Sequence, residues 1–414
     1  MSRGTLLLAL SLAAGWALPA LAAPTLGAEL VLPGAAGKDA YLPAAAYGAS
    51  TYLVAWQAGR VQQGDIAAVR LDATGKLLDP APLAVARFPE EQERPRIAFG
   101  AGVFLVVWQD LRNGTDYDVY AARVTPDGSL PDGSGFLVSG GAHNQVEPHV
   151  AFDGQNFFVA WQDFRSASAY QIYGARITPQ GTVLDPDGLQ LASGFSFNDA
   201  IASSGDGRTL VLWGGTDNGG GSTAPSGVFV GNGALLPESV ATNGKNDPAP
   251  FPAQSERFSV AAGPAGFFVA CTNYAPSGKG GAINTSAGEV LGLLGERGPY
   301  LTFTGRPHFS IDPDVVWDGS AYLVAWGDQA QNSPAINFST SQPDSRVYAS
   351  RLSQSGAVLG TPGSPSLVAG SFQNPAQHPA VASDGAGSSL IAYERHPSSG
   401  DVPIAIGVRM LEGP

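Results

Sequence analysis

One unit recurs through the chain, and its period constrains the fold more than any other property. It opens with a short apolar run, as in PRIAFG (95–100) or PHVAFDG (148–154), followed by a Gly turn. An apolar strand ending in an aromatic comes next: TYLVAW, VFLVVW, NFFVAW, TLVLW or AYLVAW. A polar loop leads to a third strand, as in DVYAARVTPDGSL (118–130) or QIYGARITPQGTVLD (171–185), and a short fourth strand closes the unit, as in GFLVSG (135–140). The strand-ending positions are Trp56, Trp108, Trp161, Trp213, Cys271, Trp326 and Tyr393, spaced by 52, 53, 52, 58, 55 and 67 residues. Such a period marks a chain built from stacked supersecondary units, none of which buries its apolar faces alone.

Seven units of four period-two strands predict an all-β fold: a seven-bladed β-propeller with four-stranded antiparallel blades. The aromatic at the end of each second strand fills the wedge between twisted sheets packed face to face. A cofactor box is a poor rival, because a ligand needs one site and not six equivalents. The last unit, PAVASDG (379–385), SSLIAYE (388–394) and PIAIGVRML (403–411), stops one strand short. The missing strand is GAELVLPG (27–34), so the N-terminal strand is expected to complete the C-terminal blade and remove an open edge.

The unit carried by FLVVWQDLRNGTDYDVYAARVTPDGSL and FFVAWQDFRSASAYQIYGARITPQGTVLD resembles the repeats of exported bacterial β-propeller proteins. The likeness covers nearly all of the mature chain and implies architecture, with no activity attached to it. The chain is also loosely similar to sialidase-type propellers, although their Asp-box, Ser-x-Asp-x-Gly-x-Thr-Trp, is absent.

Two domains are expected: a signal peptide over 1–22 and a single propeller over 23–414. Arg3 supplies the positive region, Leu6 to Leu18 the apolar stretch, and Ala20-Leu21-Ala22 the cleavage site. The mature protein is therefore expected to be secreted or periplasmic, monomeric, and without membrane insertion. The net charge of −13 disfavours nucleic acid and anionic lipid as partners. The single cysteine, Cys271, falls on a core strand, where a buried thiol is expected rather than a nucleophile.

Loops between the second and third strands, and between successive units, share one face at the channel mouth. The opposite face carries tight Gly turns such as DGQN and PDGS. Asp110, Asp163 and Asp328 follow the unit aromatic by two residues, and Arg60, Arg112 and Arg165 by four. Because they repeat, they read as ion pairs that pin each loop. The strand arginines Arg70, Arg123, Arg176, Arg351 and Arg409 read as structural too, and Gln92 and Gln145 as corner residues. His143, His149, His308, His378 and His396 fall on or beside the mouth without metal-ligand spacing, so no metal or other cofactor is expected. The longest mouth-side loops belong to units four to six. They nominate a ligand site of Tyr300, Phe303, Phe309 and Phe338 for stacking, with Arg306, His308, Asp328 and Asn332 for hydrogen bonding. No catalytic residues are nominated. The leading expectation is a non-catalytic propeller that binds a glycan, peptide or protein; the alternatives are a glycoside hydrolase or lyase, and a structural surface component.

Overall fold

The computed structural model describes residues 25–34, 37–59, 64–193, 196–216, 222–240, 255–276, 282–291, 297–302, 309–329, 345–360, 365–371, 374–397 and 402–413. Every regular element among them is a β-strand, and no helix is long and apolar enough to cross a membrane. Residues 1–22, the expected leader, lie outside the described residues.

The strands form seven antiparallel sheets, numbered I to VII here by their first strands: Ala40–Gly48, Gln92–Gly100, Gln145–Phe152, Ser196–Ser203, Ser255–Gly263, Phe309–Trp317 and Ala376–Ser383. Apart from the N-terminal strands, which join the last sheet, each is a meander in which sequence neighbours pair, as short turns allow. The fold is all-β and propeller-like.

Sheets stack face to face, and the core divides into the layers between them. Leu53 and Ala55 of sheet I pack with Phe104, Val106 and Trp108 of sheet II. The other face of sheet II, with Leu105 and Val107, meets Phe157, Val159 and Trp161 of sheet III. The pattern continues to the layer where Leu390 and Ala392 of sheet VII meet Tyr52, Val54 and Trp56 of sheet I. This explains why the second strands are unbroken apolar runs: both faces are covered, and every residue of Thr51–Ala58 and Val103–Asp110 is buried. Cys271 is fully buried in the layer between sheets IV and V, at the position that holds Trp in most units.

The N-terminal segment pairs with the last strand, Ala405–Glu412. Thr25 lies opposite Glu412 and Leu30 opposite Val408, while Leu32 N–H donates to the Ile406 carbonyl at 2.9 Å. Of the three aliphatics in this stretch only Leu32 is fully buried; Leu30 is half-buried and Val31 is exposed.

The repeated polar residues hold this frame together. Trp108 Nε1 donates to Asp110 Oδ2 at 2.7 Å, and Arg112 Nη2 donates to the same oxygen at 2.6 Å while its guanidinium lies 3.7 Å over the Tyr120 ring. Trp161, Asp163, Arg165 and Tyr173 repeat the arrangement. Arg70, Arg123 and Arg176 each pair with an Asp nine residues on and donate to a carbonyl of the next sheet, at Pro126, Pro179 and Asn232. Gln92 and Gln145 close the corners before their strands through backbone groups at Phe88 and Gly141. Arg351 departs from this geometry by pairing with Asp318 at 2.7 Å. Arg409 does not belong to the series at all. Tyr393 pairs with Gly407 where Trp108 pairs with Tyr120, so Arg123 corresponds to Met410 and Arg409 faces the other side of its sheet.

Candidate functional site

The first strand of every sheet contains one register shift, and these irregularities border one cavity. The shifts fall between Tyr41 and Ala44, Glu93 and Arg96, Val146 and His149, Phe197 and Ala200, Glu256 and Phe258, Ile311 and Asp314, and Gln377 and Ala380. In five sheets the residue before a proline sits inside the bulge with positive φ: Leu42 (50°), Arg94 (57°), Glu147 (54°), Asp312 (50°) and His378 (48°). Proline suits a bulge because it has no N–H to offer the ladder. The left-handed backbone is strained for a non-glycine residue and turns its side chain out of the sheet. The backbone feature repeats; the side chain it presents does not.

Between these bulges lies a cavity of about 330 Å³ lined by residues of all seven first strands, among them Leu42, Arg94, Glu147, Phe258, Asp312 and His378. One side is governed by Arg94, whose Nη1 lies 2.8 Å from Glu147 Oε1, with both side chains about one-third exposed. Deeper on that side stand Arg96 and His149, the latter with Nδ1 at 3.2 Å from the Glu147 carbonyl. The opposite side is governed by His378. Its Nε2 lies 3.1 Å from Asp312 Oδ2, and its Nδ1 lies 2.9 Å from Glu394 Oε1. Glu394 is fully buried and accepts the Leu42 N–H at 2.8 Å, while His396 Nε2 lies 3.1 Å from its second oxygen. Burial alone would disfavour the imidazolium, but the flanking carboxylates of Glu394 and Asp312 outweigh it and push His378 up to about 10. Burial likewise works against ionised Glu394, and the His378 charge reverses that and holds its carboxyl well below the usual range.

Asp314 lies in the same wall with a different task. Its carboxylate accepts from Ser259 Oγ (2.7 Å), Val381 N–H (2.8 Å) and Val315 N–H (3.0 Å), which ties sheets V, VI and VII at the axis. Burial raises its carboxyl, against the hydrogen bonds and the nearby Arg96. Both oxygens are engaged, so Asp314 is a strut more than a proton donor. The apolar part of the wall comes from Phe258, Ala200 and Ala44, all largely buried. Among the described residues no group of three His, Cys, Asp or Glu side chains could hold a metal ion.

Most of the site expected from loop length lies outside the described residues. Phe303, Arg306, His308, Asn332 and Phe338 lie outside the described residues. Tyr300 and Phe309 are on strands of sheets V and VI, Arg297–Thr302 and Phe309–Trp317, with only their backbone described. Asp328 is placed on Tyr322–Gln329 at the position of Asp110 and Asp163, two residues after Trp326, where the unit keeps its structural carboxylate. Of the histidines, His149 and His378 line the cavity and His396 supports it from behind; His308 lies outside the described residues. Arg94, Glu147, Asp312 and Asp314 went unnoticed in the sequence. The available signal was the X-Pro pair near the start of five units, at Pro43, Pro95, Pro148, Pro313 and Pro379, with a different residue before each proline.

No protein-family model matches the chain, and no curated protein sequence is significantly similar to it. Solved structures share its fold at low identity. A protein of unknown function from Dyadobacter fermentans DSM 18053 is 12% identical, with 96% of this chain and 100% of that one covered at a TM-score of 0.53. An ulvan lyase of polysaccharide lyase family 25, bound to a GlcA–Rha3S repeat, is 9% identical, with 93% and 96% covered at a TM-score of 0.55. At these identities the likeness is one of fold.

Proposed function

We propose that this protein is an exported, carbohydrate-active β-propeller that binds a polysaccharide segment in the axial cavity and cleaves it. In this reading the seven sheets are the blades of one closed ring, residues 25–32 complete the seventh blade, and residues 1–22 direct export. The observation that carries the proposal is the sorting of charge. Asp–Arg pairs that repeat are spent on the frame, whereas Arg94, Glu147, Asp312 and His378 repeat nowhere and converge on one cavity. Repetition serves a repeated fold, and a unique arrangement points to a site. The lyase of similar fold acts on a glycan, which favours a glycan here over a peptide.

Bond cleavage in a glycan needs an acid and a base on either side of the scissile linkage. Glu147 and Asp312 come from sheets III and VI and are the carboxylates for these roles, each beside a cation, Arg94 or His378, that orients it. The loops carrying Tyr300, Phe303, Arg306, His308, Phe309, Asn332 and Phe338 would extend the binding surface outward from the cavity. A second reading, a non-catalytic glycan binder, is favoured by one feature: each carboxylate is already matched to a cation, which suits recognition as well as catalysis.

The test is a panel of neutral and uronate-containing polysaccharides, scored for binding, for new reducing ends and for the ultraviolet absorbance of an unsaturated uronate. Reducing ends alone identify a hydrolase, and both signals identify a lyase. Glu147→Gln and Asp312→Asn are each expected to lower the rate at least about 100-fold with binding retained. Binding without cleavage selects the second reading. Absence of binding across the panel removes both.

A further inference from the structure

The joint between the N-terminal segment and sheet VII departs from the repeated pattern at every polar position. In sheets II and III a Trp, a buried Asp two residues on and a Tyr across the register form the unit cluster. In sheet VII, Tyr393 stands for the Trp, Arg395 for the Asp and Gly407 for the Tyr. Arg409, opposite Ile391, stands where Ala122 and Ala175 lie opposite Val106 and Val159. The carboxylate now comes from the other end of the chain. Tyr393 Oη donates to Glu29 Oε1 at 2.8 Å, and Arg395 Nε lies 3.5 Å from Glu29 Oε2.

These exchanges leave a cavity of about 150 Å³ lined by Glu29, Asn374, Tyr393, Arg395 and Arg409. Gly407 brings no side chain to the place of the stacked Tyr, and the Tyr393 ring packs against it, within 2.6 Å of where a Cβ would stand. Arg409 Nη1 donates to the Gly27 carbonyl at 3.3 Å, while its Nε is buried with no hydrogen-bond partner. A guanidinium in place of a buried methyl group, with one donor unsatisfied, is costly unless something accepts from it. One carboxylate against two guanidiniums in the lining leaves a single positive charge.

We propose that this seam pocket binds one small oxyanion, a sulfate, phosphate or carboxylate, either free or as the substituent of a sugar. Arg395 and Arg409 hold it through their planar donor forks, with the Asn374 amide as a third donor. A water takes roughly 30 Å³, so the cavity has room for a tetrahedral oxyanion and ordered water beside it. The proposal is independent of the cleavage reading, because the pocket shares no lining residue with the axial cavity.

The experiment is equilibrium dialysis of the mature protein with radiolabelled sulfate, followed by competition with a monosulfated monosaccharide. Arg409→Ala installs the residue that sheets II and III carry at this position and is expected to fold. Arg395→Gln provides a second variant, and circular dichroism checks both. One sulfate per chain is expected, with affinity lowered at least tenfold in either variant and unchanged in Arg94→Ala. Stronger displacement by the sulfated sugar than by unlabelled sulfate assigns the source to a glycan, and weaker displacement assigns it to a free anion. Absence of saturable sulfate binding, or binding undiminished in both folded variants, overturns the proposal.

Discussion

At the scale of the residue, position in the repeat decides what a charge does. Asp110 is fully buried and accepts from an indole and a guanidinium, so removing its carboxylate strands two donors in a closed layer. Asp110→Ala is expected to cost about 3–5 kcal/mol of stability, the range for breaking a buried pair from one side. Urea unfolding of variant and parent checks this; a loss under about 1 kcal/mol would show that the carboxylate is dispensable to the frame. Asp328 shows how far sequence reasoning could go. Its loop is long and its chemistry suits a ligand, yet two residues past Trp326 it occupies the frame position of Asp110. Glu147 escaped notice for the opposite reason, and His378, although read as a mouth-side histidine, gave no sign of its carboxylate partners. The X-Pro pair in QVEPHV and AQHPAV marks a break in the ladder, but the left-handed turn of the residue before it is set by pairing with the neighbouring strand and is not legible from one unit alone.

At the scale of the element, the N-terminal segment is a strand in sequence and an outer edge in the fold. Deleting residues 25–34 uncovers Ala405–Glu412, strands the Arg395 and Tyr393 partners of Glu29, and removes buried Leu32 from the core. One fully buried leucine contributes about 1.5–3 kcal/mol, and the lost backbone bonds add to it. A chain beginning at Ala40 is therefore expected to melt several degrees below one beginning at Ala23. Equal melting temperatures would show that the segment contributes nothing to the sheet. The pairing partner was legible because the last unit visibly lacked its fourth strand. The side of the strand on which Arg409 falls was not, since counting arginines in the third strands ignores the one-residue slip that sends it to the other face.

At the scale of the whole molecule, three sheets meet at one titrating cluster. His378 belongs to sheet VII and contacts Asp312 of sheet VI, and Glu394 behind it accepts from Leu42 of sheet I. His378 is raised from 6.5 to about 10, so its stabilisation is complete below about 6.5 and lost as pH rises through 10. Glu394 is lowered from 4.5, so its contribution is complete above about 4.5 and lost in acid. The two windows overlap between 4.5 and 6.5, and the cluster is expected to stabilise the fold most there. Melting temperatures across pH 5 to 10 should decline, and His378→Gln should flatten that decline. A parent curve that rises over the same interval would contradict the assignment. The bulges around the axis have a consequence for change over time. A residue inside a bulge makes no ladder bonds, so replacing it leaves the neighbouring strands paired as before. The vocabulary at these places is nonetheless restricted: a left-handed backbone penalises branching at Cβ, and Leu42, Arg94, Glu147, Asp312 and His378 are all unbranched there. These positions can be rewritten one letter at a time, from an alphabet without Val, Ile or Thr, while the sheets that carry them stay the same.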